Sequence, residues 1–146
     1  MTQGNRTDPY LAFNFLVEVE GLVVGGFSEV TGLETEIEFY DYREGGVNEY
    51  IHKFWGPTRY PSRLVLKRGL TDVDALWLWY QAVALGAIVR QIVSVVLLER
   101  NGEERARWVF LGAYPVRWAG PGMQAGTATV AVETLELVHR GFYRVT

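Results

Sequence analysis

Three glutamates at alternate positions, Glu34, Glu36 and Glu38, are the first group in this 146-residue chain that could do chemistry. Alternation puts them on one face of a strand, with Thr35, Ile37 and Phe39 on the other. Such a row could offer oxygens to a hard cation. Calcium ligands, however, usually wrap the ion from a loop, whereas alternate strand residues spread along a flat face. The expectation is a face that is solvated, turned to a partner or turned to a lumen, its charge met by water or cations. A second group, Glu49, His52 and Lys53, has acid–base residue types but lies in a glycine-punctuated stretch without a third residue to orient it. His139, beside Arg140, reads as a polar strand end. Of the three serines, Ser28, Ser62 and Ser94, Ser28 sits in Gly-Phe-Ser-Glu-Val, which is not a nucleophile elbow. No metalloprotease motif, phosphate-cradling glycine loop or dinucleotide fingerprint occurs. The chain has no cysteine, which excludes disulfides, thiolate metal sites and thiol nucleophiles. These observations point away from an enzyme and require no cofactor or metal.

The elements that would carry these residues are mostly strands. Phe13, Phe15, Val17 and Val19 alternate with more polar neighbours, the period of a half-buried strand. Gly21 and Gly25-Gly26 punctuate a second strand around Leu22–Val24, and a third spans Glu34 to Phe39. Arg43 to Pro61 reads as a long loop or loose hairpin, with breakers at Gly45-Gly46, Gly56-Pro57 and Tyr60-Pro61. It also carries Val47, Tyr50, Ile51, Phe54, Trp55 and Tyr60, more large apolar groups than a free loop holds, so it folds back on the core or docks on a neighbour. Further strands are expected at Arg63–Lys67, Gln91–Arg100, Arg105–Leu111, Tyr114–Trp118 and Thr127–Val138, with a hairpin signal at Asn101-Gly102. The pattern predicts a mainly β chain, two packed antiparallel sheets forming a small barrel or sandwich, with one flanking helix. Residues 1–11 read as a polar N-terminal arm and 12–146 as a single domain. There is no apolar segment of signal-peptide type at the N-terminus.

The helix is expected from Thr71, as cap, to Gly86, as stop. Leu76, Trp79, Tyr80 and Val83 form one stripe, but Trp77, Leu78, Ala82 and Leu85 occupy the other sides, and no charge falls between Asp74 and Arg90. A helix on a monomer's surface shows a charged face; one apolar nearly all round needs cover on more than one side, and a partner subunit is the natural source. Its apolar stretch, Ala75 to Val89, is broken by Gln81 and Gly86 and falls short of the roughly 20 residues of a membrane span. Five Trp, eight Tyr and seven Phe also hint at self-association, because aromatics are enriched at interfaces as well as in cores. The net charge of −3 argues against specific nucleic-acid binding. Charge is segregated: from Glu18 to Glu49 there are eight Glu and one Asp against Arg43 alone, and from Lys53 to Arg68 five cations and no acid. The two segments could pair within one chain or head to tail between copies.

Six stretches carry a resemblance to a known family. They are Phe15-Leu-Val-Glu-Val-Glu-Gly21, Gly26-Phe-Ser-Glu-Val-Thr-Gly-Leu33, Arg43-Glu-Gly-Gly-Val-Asn-Glu-Tyr50, Tyr60-Pro61 leading into Leu64-Val-Leu-Lys-Arg-Gly69, Leu76-Trp-Leu-Trp-Tyr80, and Val132-Glu-Thr-Leu-Glu-Leu-Val-His139. Each alone is weak; in this order and spacing, from Asp8 to Phe142, the chain resembles the inner tube proteins of contractile tails. These include phage tail tubes and extracellular contractile injection systems, related in fold to the haemolysin-coregulated protein of type VI secretion. The resemblance implies a homo-hexameric ring whose inner sheets join into a channel. It also implies stacked rings inside a sheath protein, a baseplate hub and spike, and a cargo protein or DNA in the lumen. There would be no membrane insertion by the subunit itself, and assembly would take place in the cytoplasm before release. It makes Arg43, Gly45, Gly46, Val47, Asn48, Tyr50, His52, Phe54, Trp55 and Tyr60 candidates for subunit and ring contacts. On the helix, Trp77, Leu78 and Gln81 are candidates, and Glu34, Glu36 and Glu38 would form a solvated or lumen-facing acidic strand. Phe54-Trp55-Gly56 is bulkier than the family's loop, which leaves open the main repeating tube subunit and a variant near the baseplate. Two alternatives stand beside the tube subunit: a small ligand-binding β-barrel, and a toxin or enzyme loaded into the lumen.

Overall fold

The computed structural model describes residues 15–42, 52–69, 74–121 and 131–145, with the side chains of 40–42 and 52–56 left out. The described residues form ten strands and one helix in the order β1 Phe15–Val19, β2 Leu22–Phe27, β3 Glu29–Thr31, β4 Glu36–Tyr42, β5 His52–Arg59, β6 Leu64–Gly69, α1 Ala75–Ala84, β7 Gln91–Leu98, β8 Glu104–Ala119, β9 Val132–Val138 and β10 Gly141–Arg144. The chain divides into two compact units, Leu33–Ser62 and the remainder.

The larger unit is an eight-stranded antiparallel sheet in the order β2-β1-β7-β8-β9-β6-β3, with β10 paired to β8. The two ends of that order, β2 and β3, are separated in sequence by Ser28 alone. The Ser28 N–H donates to the Lys67 carbonyl on β6 at 3.0 Å. Period-two alternation builds the interior. Leu64 and Leu66 on β6 lie opposite Leu137 and Leu135 on β9, and all four are fully buried. Val17, Phe27, Val93, Val95, Phe110 and Ala113 are likewise fully buried. Each large apolar side chain withdrawn in this way contributes about 1.5–3 kcal/mol.

Glycines mark the places where strands turn or change partner. β1 and β2 are joined by Glu20 and Gly21, both at positive φ (51° and 82°), the geometry of a two-residue hairpin turn that twists with its strands. A glutamate in that region is strained. Here its N–H donates to the Ile92 carbonyl and its carboxylate accepts the Ile92 N–H, so the flanking sheet holds it in place. Asn101-Gly102 does not form a two-residue turn. Gly102 N–H bonds Glu99 O at 2.9 Å and Glu99 N–H bonds Glu103 O at 2.8 Å, with Gly102 at φ 86°. That is a three-residue loop whose glycine takes the left-handed position.

Three further differences from the sequence pattern have physical causes. The strands expected at 105–111 and 114–118 are one strand, β8, which passes from its β7 and β10 partners to β9 across Gly112. β5 runs through Gly56-Pro57, where a break was expected. Ile37 faces Thr58 and Phe39 faces Trp55, so two residues of β5 oppose Glu38 alone. Proline is tolerated at such a bulge because no ladder bond needs its N–H. The helix begins at Ala75 rather than at Thr71, with Asp74 in the cap position making no side-chain cap bond. Residues 70–73, including Thr71, lie outside the described residues, as do the N-terminal arm, Phe13 and the start of the strand expected from Thr127. Gly86 does stop the helix. At φ 105° it donates to Val83 O, while Ala87 donates to Ala82 O, a paired closure of the last turn.

The smaller unit is a two-stranded antiparallel ribbon of β4 and β5. Thr35 Oγ1 donates to Arg59 O, and Ser62 Oγ donates to the Glu34 carboxylate, tying its base.

Candidate assembly surfaces

On α1 the stripe of Leu76, Trp79, Tyr80 and Val83 is the covered side. Leu76 is fully buried, the other three are half-buried, and the helix packs on β8. The remaining sides are open, and Trp77, Leu78, Gln81, Ala82 and Leu85 are all exposed. Leu78 is 52% and Leu85 82% accessible, and the apolar run continues through Ile88 and Val89. Contiguous apolar faces of this kind are uncommon on monomeric folded chains. The three helix candidates, Trp77, Leu78 and Gln81, therefore lie together on the outer side. Trp77 also stacks on Tyr80 at 5.9 Å and meets Trp118 of β8 edge-on at 5.0 Å.

On the ribbon, Ile37 and Phe39 are both exposed, Phe39 to 58%. Glu36 and Glu38 share one cation. Arg59 Nη1 lies 2.9 Å from Glu38 and 4.0 Å from Glu36, whereas Glu34 precedes β4 and pairs with Ser62. The acidic row is thus met by Arg59 and by water. Among the described residues no group of three His, Cys, Asp or Glu side chains is placed to hold a metal. His52, Phe54 and Trp55 lie on β5 opposite Tyr42, Tyr40 and Phe39, and Tyr60 follows the strand, half-buried. Arg43, Gly45, Gly46, Val47, Asn48 and Tyr50, like Glu49 of the acid–base group, lie outside the described residues.

Of the basic segment, Arg59 and Lys67 meet acids of the acidic segment within the chain, whereas Arg63 and Arg68 meet acids of β9. Arg59 meets Glu38, Lys67 meets Glu29 at 3.4 Å, and Arg63 meets Glu136 at 3.2 Å, with Arg117 on the other oxygen of Glu136 at 2.6 Å. These pairs are exposed, and each is worth a fraction of a kcal/mol up to about 1. Arg107 is clamped more firmly, by both oxygens of Glu18 at 2.8 and 3.1 Å and by Glu104. The Glu18 hydrogen bond first, then that of Glu104, raises its proton affinity above the ordinary arginine value. A raised folded value means that this contribution is fully present below arginine's ordinary range and is lost only above it, so the guanidinium does not titrate near neutral pH.

Sequence reasoning missed a buried polar group. Arg68 and Glu133, on neighbouring strands, are 5% and 2% exposed, with Nε and Oε1 2.9 Å apart. Glu133 Oε2 accepts the indole N–H of Trp118 at 3.0 Å. A signal was present. Arg68 is in phase with the inward Leu64 and Leu66, and Glu133 with Leu135 and Leu137, so opposite charges stand on the apolar faces of two strands.

Residues 11–143 match the family of T4-like virus tail tube protein gp19, and the chain belongs to that family. Its fold recurs in contractile systems. The chain is 26% identical, at TM-score 0.74, to a chain in the structure of the anti-feeding prophage baseplate, six-fold symmetrised, with 96% of this chain and 97% of that one covered. A chain of the PVC sheath–tube complex, an extracellular contractile injection system in its extended state, gives TM-score 0.77 at 22% identity over 91% and 88%. Hcp1 from Flavobacterium johnsoniae gives 0.54 at 17% identity over 90% and 94%. No curated protein sequence gives a significant match. The family and the fold are those of structural tube proteins.

Proposed function

We propose that this chain is a non-catalytic subunit that assembles as rings of six, stacked into a hollow tube within a contractile particle. The family match over residues 11–143 carries this. The six-fold symmetrised baseplate and the sheath–tube complex among its structural relatives support that symmetry and, as partners, further copies of itself, a sheath and a baseplate; a hub with its spike at the tube's end belongs to the same reading. The lumen would carry cargo or DNA. Closure of the eight-stranded sheet into a small barrel is supported by the Ser28 link between β2 and β3 and by its bond to Lys67. Joining sheets between subunits would also cover strand edges that invite aggregation in a monomer.

Within that assembly, the outer side of α1 (Trp77, Leu78, Gln81 and the apolar run to Val89) and the segment from Arg43 to Tyr60 make the subunit and ring contacts. The acidic residues of the ribbon face solvent or the lumen. An interior filled by Phe27, Phe110 and four leucines favours a structural subunit over a ligand-binding barrel. No described helix is long and apolar enough to cross a membrane, in keeping with delivery by a particle. Negative-stain electron microscopy with light scattering tests this. Rings with a central hole, at six subunit masses, are expected. A stable monomer that a baseplate template does not convert into rings would overturn it.

A further inference from the structure

We propose that Glu133 is a positioning residue that sets the seat of α1 on the sheet by orienting Trp118. The positioning stands on the geometry alone; its consequence for assembly rests on the helix-face contact proposed above.

The Trp118 indole is held at both ends. Its N–H is bound by Glu133 Oε2 at 3.0 Å. Its far edge lies against Gly120, where an added Cβ would come within 2.8 Å of Cη2. A ring fixed at both ends presents one edge, and Trp77 of α1 meets it at 5.0 Å and 63°. Such edge-on pairs contribute beyond the area they bury and are sensitive to angle. Trp77 in turn stacks on Tyr80, so the orientation reaches the first two turns of the helix.

Glu133 is held in its turn by Arg68. The guanidinium lies over the Phe27 ring, 5.1 Å from its centroid, and a Cβ on Gly25 would come within 2.5 Å of Nη1. The backbone at Gly25 thus leaves room for the arginine and nothing larger. Nη2 is buried without a hydrogen-bond partner among the described residues. Leaving a donor unpaired has a cost, and apolar pairs often replace buried ion pairs at no loss of stability. A buried pair that stability alone does not demand is consistent with a geometric role. What it delivers here is a carboxylate oxygen at one fixed place beneath Trp118.

The test compares two full-length double variants, R68M/E133L and R68M/E133Q. Both remove the charges at similar volume, but only the glutamine keeps an acceptor for the indole. The readout is the tryptophan exciton couplet in circular dichroism, assigned to this pair by its loss in W77F. The expected result is loss of the couplet in the leucine variant and its retention in the glutamine variant. Retention in both, or loss in both, overturns the proposal. G120A, which leaves the ion pair intact and crowds the indole, should alter the couplet even if neither double variant folds; an unchanged couplet there also overturns it. Light scattering on the leucine variant separates the two claims. A rise in the concentration needed for rings agrees with both, whereas a lost couplet with unchanged rings keeps the positioning role and removes the helix-face contact.

Discussion

The eight-stranded sheet and the β4–β5 ribbon are built with the same period-two alternation, yet they treat their apolar residues in opposite ways. In the sheet, Leu64, Leu66, Leu135 and Leu137 meet across neighbouring strands and lose all contact with water. In the ribbon, Ile37 and Phe39 remain exposed. Their charges differ in the same sense. The sheet takes Arg68 and Glu133 inside, while the ribbon leaves Arg59 and Glu36 more than half exposed. An isolated two-stranded ribbon is marginal in water. Alternation therefore says that a strand has two faces; it does not say what will cover the apolar one. In the sheet other strands do so; in the ribbon Ile37 and Phe39 are left exposed.

The sharpest way to break this contrast is to truncate one aromatic in each region. Phe110→Ala should lower the unfolding free energy by about 3–5 kcal/mol. Phe39→Ala should change it by no more than about 0.5 kcal/mol while reducing ring or tube yield. Chemical denaturation with light scattering reads both, and a large stability loss from Phe39→Ala would mean that the ribbon's apolar face is already packed within the subunit. Next in size, Glu133→Ala leaves Arg68 buried and unpaired, at a cost of about 3–5 kcal/mol. Arg59→Ala removes a solvated pair and should cost no more than about 1 kcal/mol. Equal effects on the denaturation midpoint would erase the distinction between the two ion pairs. A modest effect is also expected at Gly86→Ala. A Cβ there meets nothing within 4 Å, so only the strain of φ 105° is felt, about 1 kcal/mol. The melting temperature checks it, and a larger loss would show that the turn after α1 is more tightly packed than its open surroundings imply.

Much of this architecture was legible in local pattern. The inward stripe of α1, its stop at Gly86, the β7–β8 hairpin and the strand at Leu64 all follow from period and turn chemistry, which act over a few residues. The continuity of β8 through Gly112 and the course of β5 through Pro57 were not legible. Breakers break only where a ladder bond is needed, and that depends on which strand lies alongside. β10 is four residues long, too short to show a period, and exists because Leu111 to Trp108 lies opposite.

The chain by itself determined that it would be β-rich with one uncharged helix, without thiol chemistry, and it carried in six ordered stretches the resemblance that the family match bears out. Tertiary structure alone decided which charges met. It put Arg68 of β6 against Glu133 of β9, and Arg107 of β8 against Glu18 of β1. It also decided that the Trp118 indole would rest on a carboxylate 15 residues further along the chain. The reason is physical. Alternation and turn preferences are properties of neighbours in sequence, whereas an ion pair or a ring contact is a property of neighbours in space, and these exist only once strand order and register are set.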